Sequence, residues 1–166
     1  QYLAGLVEPI RDHETVGIFD ALDRVLASDV ISPIHVPPHD NSAMDGYAFD
    51  GRLLVEGQPL VLHTVGTALA GAAWAGSVGP GQCVKIMTGA MLPAGTDTVV
   101  PVERVYADGG RIHLPPGSVR AGDNRRLRGE DLTAGRAALT RGQTLGPAAL
   151  GLLASLVLRV GLFELG

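Results

Sequence analysis

The sequence is poor in cysteine and in long apolar runs. A single cysteine, Cys83, excludes an internal disulfide and a metal cage built from cysteines. No apolar run reaches the roughly 18 residues that a spanning helix needs, so no membrane partner is predicted. The first residues hold no basic segment followed by an apolar run, so no signal peptide is predicted. These absences favour a cytoplasmic location, where thiols stay reduced.

Cations and aromatic side chains are also scarce. The chain has one lysine, a formal charge of −4 and few aromatic residues (Phe 3, Tyr 3, Trp 1). Binding to duplex DNA depends on many cations that neutralise phosphates. Binding to single strands depends on aromatic side chains that stack on the bases. The composition therefore argues against nucleic acid as a partner.

Turn-forming residues are abundant instead. Of the 166 residues, 23 are glycine and 11 are proline, which excludes a coiled coil and indicates many turns. The apolar share of 46% and the charged share of 18% are ordinary for a folded domain. A chain of this length forms one domain or two small ones, with a core that needs no disulfide.

The two ends of the chain carry the helical patterns. Residues 1–31 are of helical or mixed character, with a helix predicted over 21–26 and a strand at 29–31. Near the other end, 144–157 is predicted to form a helix with a proline in its first turn. A strand or linker is predicted over 158–165.

The middle of the chain, residues 32–143, is dense in turn signals. Segments rich in β-branched residues predict short strands there, at 60–65, 83–87 and 98–100. The segments 104–107 and 111–114 flank a glycine-rich turn, which predicts a β-hairpin.

A polar segment after two prolines is the first candidate site. Asp40 and Asp45 are five residues apart, Asn41 and Ser42 lie between them, and Gly46 follows. Hard oxygen donors of this kind suit Mg²⁺ or a hydroxyl-rich substrate. The same residue types also form ordinary turns by bonding to their own backbone, so both interpretations stay open.

Two further segments carry groups that suit anions. Thr88 and Gly89 follow a predicted strand, where a hydroxyl and free N–H groups can meet an anion, although an ordinary turn has the same composition. Residues 125–131 combine three arginines with two acids. Arginine binds phosphate or carboxylate through paired hydrogen bonds, whereas an exposed, self-compensating charge cluster is the alternative.

In order and spacing, these segments resemble the molybdopterin molybdenumtransferase family, whose animal relative is the E domain of gephyrin. The residues that carry the resemblance are Arg24 to Val30, Asp40-Asn41-Ser42-Ala43-Met44-Asp45-Gly46-Tyr47-Ala48, Ile86-Met87-Thr88-Gly89-Ala90, Asp97-Thr98-Val99-Val100 with Glu103, and Asn124-Arg125-Arg126 through Arg128-Gly129-Glu130-Asp131. The run from Asp40 to Ala48 is the most specific of them.

The resemblance implies an α+β, β-rich fold, in which an irregular mixed domain carries an inserted small β-barrel-like domain. Residues 1–31 plus 132–166 would form the split dimerisation and linker domain. Residues 32–131 would form the inserted β-rich domain, which carries half of the active-site cleft. Family members are longer, so a molybdopterin-binding α/β domain and a final β-barrel are expected after Gly166.

The activity that the resemblance implies is insertion of molybdate into molybdopterin. Adenylated molybdopterin is the expected substrate, and Mg²⁺ is the expected divalent cation. The positions that match the family's catalytic residues are Asp45, Thr88 and Asp131, with Asp45 and Asp131 as metal ligands. The residues expected to support cofactor binding are Asn41, Ser42, Glu130, Arg126 and Arg128.

The resemblance also implies a homodimer, with a cleft between the β-rich domain of one subunit and the α/β domain of the other. The fragment alone is expected to be inactive, because the molybdopterin pocket lies on a domain that it lacks. Two other functions stay open. One is a non-enzymatic dimerisation or binding module that keeps the family shell. The other is binding of small anions by the arginine loop alone, for which little or no binding is expected because half of the cleft is missing.

Overall fold

The computed structural model describes residues 12–160, with side chains described as far as Leu156. The chain divides into two compact units. The insert unit is the continuous stretch His35–Leu132, and the flank unit combines Gln1–Ile34 with Thr133–Gly166. The regular elements are β1 (Val30–Ile31), β2 (Asn41–Ser42), β3 (Gly46–Phe49), β4 (Leu60–Ala68), β5 (Gln82–Ile86), β6 (Thr98–Pro101), β7 (Tyr106–Asp108), β8 (Arg111–Leu114), β9 (Arg125–Arg126), β10 (Ala137–Leu139) and α1 (Pro147–Val160).

Six strands of the insert unit form one curled sheet in the order β6-β3-β5-β4-β8-β7. β4 and β5 are parallel, and the other neighbouring pairs are antiparallel. Successive side chains of a strand point to opposite faces, so a sheet packed on both faces buries whole strands. In β3, Tyr47 and Phe49 join one core cluster and Ala48 joins the other. All four residues of β3 are therefore buried.

The single tryptophan packs within the insert unit against two glycines. A Cβ atom at Gly66 would lie 2.5 Å from Trp74 Nε1, and one at Gly76 would lie 2.5 Å from the indole ring. Trp74 thus fills the space that a side chain at either position would need. It also packs against a core cluster of the sheet, so its fluorescence can report on the insert unit.

The flank unit has a core cluster built from both ends of the described chain. β1 pairs antiparallel with β10, and Val30 lies opposite Leu139. Ala149 and Leu153 of α1 pack into the same cluster. The helix begins at Pro147. Proline suits this position, because the N–H group that it lacks would have no partner in the first turn of a helix. Between residues 12 and 160, no helix is long and apolar enough to cross a membrane.

The β-rich α+β fold class is confirmed, and so are the main strand predictions. β4, β5 and β6 lie where the β-branched segments predicted them, and the predicted hairpin is β7–β8. Its turn is Gly109-Gly110, with φ angles of 54° and 85°. A two-residue hairpin turn of type I′ needs positive φ at both central residues, which glycine adopts without strain.

The helix predicted over 21–26 is wrong. Asp23 has a φ of 63°, which ends helical geometry, and Val25 forms a β-bridge with Thr144. The backbone of Leu26 bonds to the segment around Gln143 instead of to its own preceding turn. The strand or linker predicted over 158–165 is also wrong for 158–160, which continue α1. The rest of that prediction lies outside the described residues, as do residues 1–11.

Candidate functional site

The three polar segments singled out in the sequence meet in the insert unit. β2 pairs antiparallel with β9, so that Asn41 lies opposite Arg126. The backbone of Ser42 also exchanges hydrogen bonds with the segment that follows β5, accepting from Gly89 N–H at 2.8 Å and donating to Ala90 at 3.0 Å. β2 therefore joins the threonine segment to the arginine segment.

Asp45 and Thr88 form the contact at the centre of this site. Asp45 immediately precedes β3, and Thr88 lies just after β5. Since these strands are antiparallel neighbours, with Gly46 opposite Ile86, the start of one lies beside the end of the other. Asp45 Oδ1 accepts hydrogen bonds from the Thr88 hydroxyl at 2.6 Å and from the Thr88 N–H at 2.7 Å.

The Asp45 carboxylate is exposed and ionised. The hydrogen bonds from the Thr88 hydroxyl and N–H lower the pKa of Asp45, and the nearby charge of Lys85 lowers it further. Its second oxygen, Oδ2, accepts no hydrogen bond from a described residue. That oxygen can bind a cation or accept a hydrogen bond from a substrate. The Thr88 hydroxyl donates its hydrogen bond to Asp45, so in this structure it orients the carboxylate.

Gly46 allows the site to sit directly on the sheet. A Cβ atom at this position would lie 2.1 Å from the carbonyl oxygen of Val100 and 2.9 Å from its carbonyl carbon. Both atoms belong to the backbone of β6, which cannot give way as a flexible side chain can. Only glycine fits here, and it fixes the backbone directly after Asp45 against the neighbouring strand.

The arginine segment is organised by its own acids. Arg126 forms an ion pair with Asp131, and its Nε atom lies 4.0 Å from Glu130. Glu130 Oε2 also accepts a hydrogen bond from the Leu127 N–H at 2.8 Å, which closes the turn. The hydrogen bond to Asp131 raises the pKa of Arg126. Both charges of the pair are thus neutralised within the segment.

Asp40 shapes the site, although it was named only as part of the first polar segment and not among the expected catalytic or binding residues. Its Oδ1 atom accepts a hydrogen bond from the Arg128 N–H at 2.8 Å, and its Oδ2 atom lies 3.9 Å from the Arg125 guanidinium. Its carbonyl oxygen accepts a hydrogen bond from the Leu92 N–H at 3.0 Å. Asp40 therefore connects all three segments. The only signal in the sequence was that it is one of two carboxylates five residues apart.

The remaining predicted residues shape the loops. The buried Ser42 hydroxyl donates to the Met44 carbonyl at 2.5 Å and accepts from the Met44 N–H at 3.3 Å, which fixes the turn before Asp45. Asn41 Oδ1 is buried without a hydrogen-bond partner among the described residues. Arg128 contributes its backbone N–H to Asp40, while its side chain is exposed.

The two predicted metal ligands lie in different surroundings. Mg²⁺ is commonly held by one or two carboxylates together with water and substrate phosphates. Asp45 fits this chemistry, because it offers an ionised carboxylate with one open oxygen. Asp131 has the right donor atoms, but its carboxylate is paired with Arg126. Within the described residues, no group of three or more His, Cys, Asp and Glu side chains is arranged to hold a metal ion.

A separate pocket of about 390 Å³ lies elsewhere on the insert unit. Its lining includes Leu60 at the start of β4 and Leu114 at the end of β8. The Asp45–Thr88 contact lies beyond the opposite end of β4, where Ala68 pairs with Ile86. The pocket therefore contains none of the predicted site residues.

Comparison with known proteins identifies the family. The model of the "MoeA N-terminal region (domain I and II)" matches residues 1–157. The chain is 42% identical to the molybdopterin molybdenumtransferase of Haemophilus influenzae, over 86% of this chain and 35% of that protein. It is 38% identical to the protein of the same name from Synechococcus elongatus, over 92% of this chain and 38% of that protein.

A solved structure agrees with these sequence matches. The molybdopterin biosynthesis MoeA protein of Pyrococcus horikoshii superposes with a TM-score of 0.77 and 32% identity. The match covers 89% of this chain and 39% of that protein. The chain thus spans little more than a third of the length of the relatives it matches. On the family model and these relatives together, it belongs to the MoeA N-terminal family, the region of domains I and II.

Proposed function

We propose that the chain is the N-terminal part of a molybdopterin molybdenumtransferase, which inserts molybdate into adenylated molybdopterin. The names of the relatives support the reaction class. The observation that carries the proposal is the Asp45–Thr88 contact, because it holds an ionised carboxylate open where the three family segments meet. In this proposal the fragment supplies the dimerisation region and the loops that face Mg²⁺ and phosphate.

Asp45 is the proposed primary ligand for Mg²⁺. Asp45 is exposed and one of its carboxylate oxygens accepts no hydrogen bond from a described residue, and its lowered pKa keeps it ionised at neutral pH. Bound Mg²⁺ would neutralise phosphate charge while the adenylate is hydrolysed. Thr88 holds the carboxylate in one orientation through two hydrogen bonds, so that less freedom is lost when a ligand binds.

The arginine segment is the proposed phosphate side of the site. Arg126 and Arg128 can hydrogen-bond anionic oxygens, and Asp131 is the proposed second metal ligand. Glu130 holds the turn that presents them, through its hydrogen bond to Leu127. Asn41 and Ser42 fix the adjoining strand, on which the register of the arginines depends. The backbone contacts between the segments support this arrangement.

The flank unit is the proposed dimerisation region. Among its described residues, Phe19 is 95% exposed and Val25 is 62% exposed, although both are apolar. A contiguous exposed apolar patch is typical of a surface that binds another protein, and Phe19 and Val25 are the proposed members of such a patch. In the proposed homodimer, the insert unit of one subunit faces the molybdopterin-binding domain of the other. We place the reaction in the cytoplasm.

A chimera tests the proposed activity. The chain would replace the corresponding region of the Haemophilus influenzae relative, and molybdenum insertion into molybdopterin would be measured. We expect an active chimera that loses about a hundredfold of its rate on Asp45→Asn, because the substitution removes the charge that holds the cation. Asp131→Asn should also lower the rate. Asp108→Asn, in the hairpin strand β7, is the matched control and should keep the rate.

Unchanged rates in both site variants would contradict the assignment. A chimera that dimerises but shows no activity at all would favour the non-enzymatic binding module. Light scattering at several concentrations measures the dimer independently of catalysis, so the two functions are separated by different readouts.

A further inference from the structure

The Arg126–Asp131 ion pair is built so that its charges can separate without unfolding the segment. Arg126 is held by strand pairing of its backbone with Asn41, and Asp131 is held by its N–H bond to the Val36 carbonyl at 2.9 Å. The side chains of the pair are 38% and 49% exposed. Ion pairs this exposed contribute little stability, because water and salt screen them. The pair can therefore open while both backbones stay in place.

While the Arg126–Asp131 pair is closed, each side chain is occupied by the other and does not bind a ligand. Asp131 carries a negative charge that suits a cation, and Arg126 carries a planar guanidinium that suits a phosphate. In this structure each neutralises the other. A divalent cation together with a phosphate monoester presents the complementary two charges. When the pair opens, the phosphate binds the arginine and the cation binds the carboxylate. Each charge then has a new partner of opposite sign, so no charge is left unpaired.

Resting on the proposed function, we infer that the Arg126–Asp131 pair opens when a nucleotide phosphate binds, so that phosphate and divalent cation bind cooperatively. The phosphate binds the guanidinium of Arg126, and the released carboxylate of Asp131 can then bind the cation. Glu130 stays beside Arg126 and keeps the turn closed through Leu127. The pair thus withholds the second metal ligand until the anionic substrate is present.

Titration of Mg²⁺ and AMP into the chimera described above, carrying the wild-type insert unit or its variants, tests this exchange by calorimetry. In the wild-type chimera, saturating AMP should tighten Mg²⁺ binding about fivefold or more, and Mg²⁺ should tighten AMP binding by the same factor. In Arg126→Gln, Asp131 is already released. Mg²⁺ should then bind about as tightly without AMP as it binds the wild-type chimera with AMP, and the coupling should disappear.

Arg120→Gln is the control, since it removes the same charge at an exposed position six residues away, outside the proposed phosphate side of the site, and leaves the Arg126–Asp131 pair intact. It should keep the coupling, and its Mg²⁺ affinity without AMP should stay about fivefold below that of Arg126→Gln. Carboxyl NMR of Asp131 adds a direct readout, because the resonance should move on AMP addition in the wild-type chimera and in the control, but not in Arg126→Gln.

Equal Mg²⁺ affinities of Arg126→Gln and Arg120→Gln would overturn the inference, as would the absence of Mg²⁺ binding in both. Loss of coupling in Arg126→Gln alone supports it. The proposed function is judged separately, by the rate of the Asp45→Asn chimera. A failure of the exchange and a failure of the reaction assignment are therefore distinguishable.

Discussion

The insert unit and the flank unit are stabilised in different ways. The insert unit packs a six-stranded sheet on both faces, and Phe49, Leu62 and Ile86 are fully buried in it. The flank unit pairs a two-residue strand with β10 beside one helix and leaves Phe19 almost wholly exposed. The difference indicates that the insert unit holds loops in place, whereas the flank unit offers apolar surface. Four substitutions measure how far this contrast holds.

Gly46→Ala should have the largest effect, and it falls in the insert unit. The new Cβ atom would overlap the backbone of Val100, so β3 and β6 must separate. We expect a loss of roughly 3–4 kcal/mol in the free energy of unfolding. Urea unfolding followed by Trp74 fluorescence measures it. Gly79→Ala is the control, because its Cβ atom would meet only the flexible Gln82 side chain, at 3.3 Å.

Equal stability of the Gly46 and Gly79 variants would show that β3 and β6 do not approach as closely as the structure has them. The insert unit would then be less rigid than the comparison of the two units indicates.

Leu153→Ala tests the core of the flank unit. Leu153 is 3% exposed and packs in the cluster that includes Leu139 and Leu145. Removing its side chain should cost about 2–3 kcal/mol in the free energy of unfolding, because it leaves a cavity. Circular dichroism of the helix during urea unfolding measures the loss. Ser155→Ala, at an exposed helical position, should change stability by less than about 0.5 kcal/mol, and a similar loss in both variants would contradict the packing.

Gly151→Ala should stabilise the flank unit. Gly151 lies in the interior of α1, is exposed, and no atom comes within 4 Å of the position of an added Cβ. Alanine loses less backbone entropy than glycine when a helix forms, so the free energy of unfolding should rise by about 0.5–1 kcal/mol. The same urea experiment measures it. A decrease would mean that the helix is interrupted at this position.

Thr88→Val should change charge behaviour with little change in stability. The variant loses the hydroxyl that hydrogen-bonds Asp45 and keeps the backbone N–H, so the pKa of Asp45 should rise toward its ordinary value. Carboxyl NMR across the acid range measures the pKa. Thr88→Ser keeps the hydroxyl and should leave it low.

The sign of the pH effect follows from the lowered pKa of Asp45. The stability that its hydrogen bonds contribute is present at neutral pH, and it is lost as the pH falls through the folded pKa. Thr88→Val should reduce this acid-dependent loss. An unchanged pKa of Asp45 in the valine variant would show that the Thr88 hydroxyl does not orient the Asp45 carboxylate.

Local patterns predicted the local structure well. β-branched content located β4, β5 and β6, and two adjacent glycines located the hairpin turn, because both signals act within a few residues. The failure at 21–26 has the opposite cause. That segment has helical spacing, but its backbone hydrogen bonds go to residues near Gln143, and spacing cannot encode so distant a partner.

The candidate site shows the same limit. Its residue types were visible as polar segments, and their order led to the family. The contact of Asp45 with Thr88 spans 43 positions, and that of Asp40 with Arg128 spans 88. Only the strand pairing of the insert unit brings these groups together. The sequence therefore predicted a set of candidate segments, while the contacts between their residues required the fold.

The discontinuous flank unit has a consequence for the order of events during synthesis. The insert unit is one continuous stretch, so it is synthesised before the second part of the flank unit and emerges from the ribosome ahead of it. Val30 must wait for its partner Leu139, which is translated more than a hundred residues later. Domains fold as units while the chain emerges. The sheet that carries Asp45 can thus fold first, and by bringing its own two ends together it shortens the search that completes the flank unit.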